Sequence, residues 1–259
     1  MVSDRRLLIR TPLINVITRS IYNAVRHIAR DFNEVDLLLN TTNGPGEFAS
    51  RCYDRVQDLL VTELQSSRPR FGLKIINEAD TIGTDDEQFW VIAPISGMKN
   101  FMNAHPHFAL SVAVELKGQI LASAVYDPIN DEMFYAERRQ GVYVNERRIQ
   151  PRRNVTTAET LALFAGNPQH AHSVFGKLSE TSDLRVSGAP ALDLCYAAAG
   201  RAGVVWVENE HPYETAAGHF ILQEAAAHFQ GCDSEESYLS THYLAGDPTH
   251  VAKVWKKLS

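Results

Sequence analysis

The spacing of apolar residues predicts helices near the start of the chain and strands after them. Residues 12–31 carry apolar side chains at helical spacing along one stripe, which predicts an amphipathic first helix. A second helix is predicted over residues 48–64. Short strands are predicted over residues 71–76 and 89–92, on either side of a polar loop at 81–87.

From residue 107 onward the period of the apolar pattern changes to two. Residues 108–116 and 119–126 alternate around Lys117-Gly118, which predicts a β-hairpin. Strands at 132–137 and 141–145 extend it into a meander. After residue 150 helices and strands alternate, with helices predicted at 188–201, at 215–228 and from about 248, and a strand at 204–207.

Length and composition indicate a globular protein without membrane spans. The 259 residues suit one large domain (1–259) or two closely packed halves, here 1–150 and 151–259, and the 44% hydrophobic content is ordinary. No apolar run approaches the ~20 residues that cross a bilayer, and no apolar segment follows the basic start, so no signal peptide is expected. Three cysteines without metal-ligand spacing fit a reducing cytoplasm.

The net charge of −6 speaks against an obligate nucleic-acid binder, so direct nucleic-acid binding is not expected. It leaves room for a local basic patch. The candidate patch joins Arg138-Arg139, Arg147-Arg148 and Arg152-Arg153. Its ordinary interpretation is that these arginines are the solvated ends of hairpins.

The most specific pattern is Trp90-Val-Ile-Ala-Pro-Ile-Ser-Gly-Met-Lys-Asn-Phe101. It resembles the metal-site loop of the inositol monophosphatase family, W-[IV]-[IV]-D-P-[IL]-D-G-T-x-N-F. The framework of that loop is kept in this chain. At the positions of the two metal-binding aspartates, however, stand Ala93 and Ser96, and Met98 replaces the threonine that positions the attacking water.

These replacements matter because Mg²⁺ is a hard cation that needs oxygen ligands, usually carboxylates, waters and substrate phosphate. A pair of such ions stabilises both the entering and the leaving oxygen of phosphate-ester hydrolysis. Alanine offers no ligand, and serine offers only a neutral oxygen. The resemblance leaves two candidate metal ligands, Glu78 in the glutamate-bearing segment and Glu214 where the family has W-D-x-A-A-G.

Two further family positions have also changed. Aligned without gaps on the N-terminal family pattern, Tyr53 replaces an acidic residue that assists a third ion, and Asp54 lies one position late. Val207 falls on the position of the family's inositol-contacting glutamate, with Glu208 beside it.

The resemblance extends over about residues 12–235 and includes the segment from Gly188 to Arg201, which is similar to the family's G-[ST]-A-A-L-D-L helix. It implies a layered α-β-α-β-α sandwich of the α/β (α+β) class, commonly a homodimer. The substrate-binding candidates it implies are Gly97, Gly188 and Ala189. Asp193 either belongs to the substrate surroundings or hydrogen-bonds locally, and we interpret His105 and His107 as strand-capping residues rather than metal ligands.

Three functions follow from this pattern. The leading hypothesis is a family member of the bacterial extragenic-suppressor type that has lost metal-dependent phosphatase activity. It would act by binding a ligand or a protein partner in a regulatory complex, and no metal cofactor is expected. The alternative is a Mg²⁺-dependent phosphatase of inositol or sugar monophosphates with a rearranged site that uses Glu78, Glu214 and Asp54 or Asp80. The third is a metal-independent sensor of a small phosphorylated ligand held by Gly188, Ala189 and Lys99.

Overall fold

Two β-sheets alternate with three layers of helices. The computed structural model describes residues 10–76, 87–151, 160–166, 176, 182–208, 211–231, 238–240 and 242–258. The helices within these residues are α1 (Pro12–Ala24), α2 (Ile28–Leu38), α3 (Gly46–Ser67), α4 (Met98–Met102), α5 (Pro190–Ala198), α6 (Pro212–Glu224) and α7 (Pro248–Leu258).

The strands of the larger sheet follow one another in chain order. They are β1 (Gly72–Ile75), β2 (Gln88–Ser96), β3 (Ala109–Leu116), β4 (Gln119–Asp127), β5 (Glu132–Glu137), β6 (Gly141–Val144) and β7 (Arg147–Ile149). Only β1 and β2 are parallel; each later neighbour is antiparallel. The predicted hairpin at Lys117-Gly118 and the meander after it are confirmed.

The strands of the smaller sheet are β8 (Leu161–Ala165), β9 (Asp183–Val186), β10 (Val204–Glu208), β11 (His228–Gln230) and β12 (His242–Gly246). Their order in the sheet is β11-β12-β10-β8-β9. Here β8 lies parallel to β9 and β10, whereas β12 is antiparallel to β10 and β11.

Each helix layer buries one apolar face against a sheet. The α1 and α3 helices pack on the larger sheet through residues such as Ile17, Leu60 and Trp90. Between the two sheets lie α5 and α6, and α7 covers the far side of the smaller sheet with Val251 and Val254. The layer order is therefore α-β-α-β-α, as the resemblance predicts. No described helix combines the length and apolarity needed to cross a bilayer.

The first helix is shorter than predicted. Instead of one helix over 12–31, α1 ends at Ala24 and α2 begins at Ile28. The Ile28 amide donates to the carbonyl of Val25, which closes a turn between the two helices. Ile21 and Ile28 are both buried, so the apolar stripe continues through the break and does not reveal it. The prediction of a single helix was wrong for this reason.

A buried ion pair connects the larger sheet with the C-terminal part of the chain. The ammonium group of Lys74 on β1 donates to both carboxylate oxygens of Glu115 on β3, at 2.7 and 2.8 Å. The hydroxyl of Tyr238 donates to the same carboxylate at 2.6 Å. Glu115 is only 3% exposed, so its charge depends on these two donors.

The division into halves 1–150 and 151–259 stays a prediction.

Replacing Lys74 by methionine should destabilise the protein, because it leaves a buried carboxylate without its cation. We expect a loss of ~3–5 kcal/mol in the free energy of unfolding, measured by urea denaturation. Lys117→Met is the control, since its ion pair with Glu87 is 3.6 Å long and its side chain is 73% exposed. Equal stability of the two variants would contradict this role of Lys74.

Candidate functional site

A cleft of about 500 Å³ opens where the loop after β2 meets the N-terminus of α6 and the loop after β9. Its walls include Gly97, Met98 and Lys99 on one side and Ser187 and Gly188 on the other. Met98 is half-buried and packs partly against the apolar core, so it does not fill the cleft.

The floor of the cleft is closed by a contact between Ser96 and Glu214. The Ser96 hydroxyl donates to Glu214 Oε1 at 2.8 Å, and the Gly97 amide donates to the same oxygen at 3.3 Å. Ser96 Oγ in turn accepts from the Ala191 amide at 3.3 Å. Ser96 therefore connects the end of β2 with the first turns of both α5 and α6.

The protonation of Glu214 is set by its burial. Desolvation raises the pKa of this carboxyl above its ordinary value. The hydrogen bonds from Ser96 and Gly97 and the nearby His211 act in the opposite direction without cancelling the effect. One oxygen of Glu214, Oε1, thus accepts two hydrogen bonds in a desolvated position.

Two glycines allow the loops to approach each other here. Gly97 has a φ of 86°, and a Cβ built on it would lie 2.9 Å from Ala189 Cβ. Gly188 has a φ of 78° and lies against the side chain of Asn100. Of the substrate-binding candidates, Gly97 and Gly188 line the cleft, whereas Ala189 is buried behind Gly97.

A polar network supports both walls from behind. Asp193 accepts from the Ser187 hydroxyl at 2.5 Å and lies 3.2 Å from His107 Nε2. Burial raises the pKa of Asp193, and both partners oppose that rise. Asn100 Nδ2 donates to the carbonyls of His107 and Ser187, each at 2.7 Å. Asp193 therefore connects Ser187, in the loop after β9, with His107, and its place in the substrate surroundings stays a prediction.

The described residues do not fit a Mg²⁺ pair. Ala93 is fully buried in β2, and the hydroxyl of Ser96 is directed to Glu214. No three His, Cys, Asp or Glu side chains gather into a possible metal site within the described ranges. Tyr53 lines the cleft, whereas Asp54 is exposed and lies outside its lining. Glu78 lies outside the described residues, so the pairing of Glu78 with Glu214 stays a prediction.

Two residues of the cleft were underrated by the sequence pattern. Glu208 lines the cleft and is 8% exposed, whereas its neighbour Val207 faces the apolar core. His211 lies just before α6 and also lines the cleft. The period of two in β10 is the signal that distinguishes Val207 from Glu208, because consecutive residues point to opposite faces.

The sequence matches the inositol monophosphatase family over residues 10–258. The chain belongs to this family. Among its relatives, the inositol-1-monophosphatase of Mesorhizobium japonicum is 31% identical over 238 residues, which cover 89% of each chain. The Nus factor SuhB of Vibrio cholerae is 34% identical over 252 residues, or 94% of each chain.

Solved structures agree with this assignment to the inositol monophosphatase family. The crystal structure of the extragenic suppressor protein SuhB from Bartonella henselae superposes with a TM-score of 0.82 at 28% identity and covers 95% of this chain and 98% of that one. Within the family, the chain is similar to this extragenic-suppressor type. The inositol monophosphatase of Anabaena, at 20% identity and a TM-score of 0.78, shares the fold.

Replacing Glu214 by glutamine should stabilise the protein at neutral pH. The pKa of Glu214 is higher in the folded than in the unfolded protein. The protonated side chain therefore makes its full contribution to folding stability below the ordinary glutamate pKa, and this contribution is lost as the pH rises through the folded-state pKa. Glutamine keeps the acceptor oxygen without a charge. Each pKa unit corresponds to about 1.4 kcal/mol, or ~3–6 °C in Tm.

The measurement is Tm of both proteins by calorimetry from pH 4 to pH 7. The advantage of Glu214→Gln should grow as the pH rises. An advantage that is constant, or that shrinks with rising pH, would contradict the assigned direction of the pKa shift.

Gly97→Ala should destabilise the cleft wall, because the new methyl group meets Ala189 and the φ is positive. Gly118→Ala is the matched control, with a φ of 78° and no atom within 4 Å of its Cβ. Both variants carry the backbone cost, so the difference isolates the contact. We expect Gly97→Ala to cost ~1–3 kcal/mol more in urea unfolding; equal losses would show that the loops can separate freely.

Proposed function

We propose that this member of the inositol monophosphatase family has lost metal-dependent phosphatase activity and acts by binding. The observation that carries the proposal is the contact of Ser96 with Glu214, in which a hydroxyl stands at a position of the family's metal-binding aspartates. A carboxylate oxygen that already accepts from a hydroxyl and an amide has less to gain from a cation. Ala93, three residues before Ser96 in β2, provides no ligand.

The expected loss is large. A hydrogen bond or ligand contact that involves a charge is worth about 1.5–3 kcal/mol. Changes at Ala93, Ser96 and Tyr53 together remove on the order of 5–9 kcal/mol on that scale, although ligands that act as a unit are not additive. Even the lower figure corresponds to at least ~10³ in rate or metal affinity.

A protein partner in a regulatory complex is the binding role we favour. The fold is kept over nearly the whole family length, although the metal ligands are replaced. A similar relative in Vibrio cholerae is a Nus factor, so a protein of this kind need not be defined by catalysis. A homodimer and a cytoplasmic location belong to the same proposal, the first from the family resemblance and the second from cysteine usage.

A phosphatase with a rearranged site is the second candidate function. It is favoured by the open cleft, whose lining keeps the two carboxylates of Glu208 and Glu214. In this case Mg²⁺ would supply Lewis-acid chemistry, and Glu78 would complete the ligand set. The candidate predicts saturable Mg²⁺ or Mn²⁺ binding that disappears in Glu78→Gln.

The deciding experiment measures hydrolysis of inositol 1-phosphate and several sugar phosphates across Mg²⁺ and Mn²⁺ titrations. An active family member serves as the positive control. We expect rates at least ~10³-fold below that control. Metal-dependent turnover near the rate of the control would overturn the proposal, and stabilisation by a sugar phosphate without metal would favour the phosphate-sensor hypothesis.

Restoring the family's aspartates provides an independent test. Ala93→Asp/Ser96→Asp/Glu214→Asp should gain saturable Mn²⁺ binding, seen by calorimetry and as a rise in Tm with added metal. Ala93→Asp alone should lose stability and gain little binding. If the unchanged protein already binds Mn²⁺ as tightly as the triple variant, the replaced ligands are not the reason for any loss of activity.

A further inference from the structure

The corner of the molecule formed by β5, β6 and β7 is basic, although the chain as a whole is acidic. The side chains of Arg139, Arg147 and Arg148 form no ion pair with any residue that the structure describes. The neighbouring carboxylates already have donors. Glu137 accepts from the Thr11 hydroxyl, Glu146 from Arg10 and Tyr135, and Glu224 from the Arg139 backbone amide.

The guanidinium of Arg148 lies beside Gly141 at the start of β6. A Cβ on Gly141 would lie 2.9 Å from its Nη2 and 3.0 Å from its Nε. The guanidinium can approach the backbone of β6 this closely because Gly141 has no side chain. A planar guanidinium is suited to bind a carboxylate through two parallel hydrogen bonds.

The backbone of Arg148 faces outward. Asn145 and Glu146 form the two-residue turn between β6 and β7, with φ values of 43° and 69°. The closing pair of such a hairpin, here Val144 and Arg147, is hydrogen-bonded, so the next pair is not. The amide and carbonyl of Arg148 consequently point away from β6, and β7 is the last strand of its sheet among the described residues.

We propose that the outer edge of β7 is a docking site for an extended, acidic segment of a partner protein. The segment adds as a further strand through the backbone of Arg148, and two adjacent carboxylates meet Arg147 and Arg148 on opposite faces of the sheet. A second copy of this chain is disfavoured there, because two such edges would bring arginines directly opposite each other.

Charged side chains on an edge strand also serve to prevent aggregation. That role alone predicts no preference for acidic segments, so a peptide titration separates the two interpretations. The docking edge shares no residue with the lining of the cleft. A result against the docking site would therefore not affect the proposed loss of phosphatase activity. A result against that loss would likewise not affect the docking site.

The probe is a fluorescein-labelled, twelve-residue Thr/Val peptide with two adjacent central glutamates, compared with the same peptide carrying glutamines. Fluorescence anisotropy with the full-length protein should give at least about tenfold tighter binding of the glutamate peptide. Arg147→Glu/Arg148→Glu should weaken that binding at least about tenfold. The control Arg19→Glu/Arg26→Glu changes the net charge equally at exposed arginines elsewhere and should change the Kd less than about twofold.

Amide hydrogen exchange should show that the Arg148 amide becomes protected when the peptide binds. Equal binding of both peptides, or equal effects of both double variants, would overturn the proposal. Binding without protection at Arg148 would overturn the strand addition. Tighter binding of a twenty-nucleotide RNA that depends on the same two arginines would assign the edge to nucleic acid instead.

Discussion

The contact of Ser96 with Glu214 is the constraint on which the cleft depends. A buried carboxylate must be compensated, either by a cation or by hydrogen-bond donors. Here the donors are the Ser96 hydroxyl and the Gly97 amide, and the carboxylate lies in the first turn of α6, where the helix dipole favours negative charge. Both donors are neutral groups of the protein. They join the end of β2 to the carboxylate at the start of α6.

The surrounding loops are arranged around this contact. The Ala191 amide donates to Ser96, so α5 is fixed to the same point. Gly97 has no side chain and allows Ala189 to approach closely. Asn100 then joins the carbonyls on the two sides of the cleft. The hydrogen bonds that hold the floor of the cleft are thus all supplied by the protein's own side chains and backbone.

The layered fold was predicted from the resemblance to the family. The hairpin was predicted from the change of apolar period, and its turn at Lys117-Gly118 has the left-handed φ values that hairpins need. The break before Ile28 could not be predicted, since the apolar stripe continues through it. In the site, the changes at Ala93 and Ser96 were visible within one loop. The bond from Ser96 to Glu214 joins residues 118 positions apart and depends on side-chain directions that no local pattern contains.

The residues at positions 93, 96 and 214 differ from the family's aspartates in ways that fit one another. Serine ends nearer the backbone than aspartate, and glutamate reaches further by one methylene, so the two side chains meet at hydrogen-bond distance. Alanine at 93 removes another charge from the same buried region. Restoring aspartate at position 93 or 96 alone adds an uncompensated carboxylate. Restoring aspartate at position 214 alone shortens the side chain that contacts Ser96. On the proposed function, metal binding is regained only through several coordinated substitutions, because each single reversal is expected to lower stability.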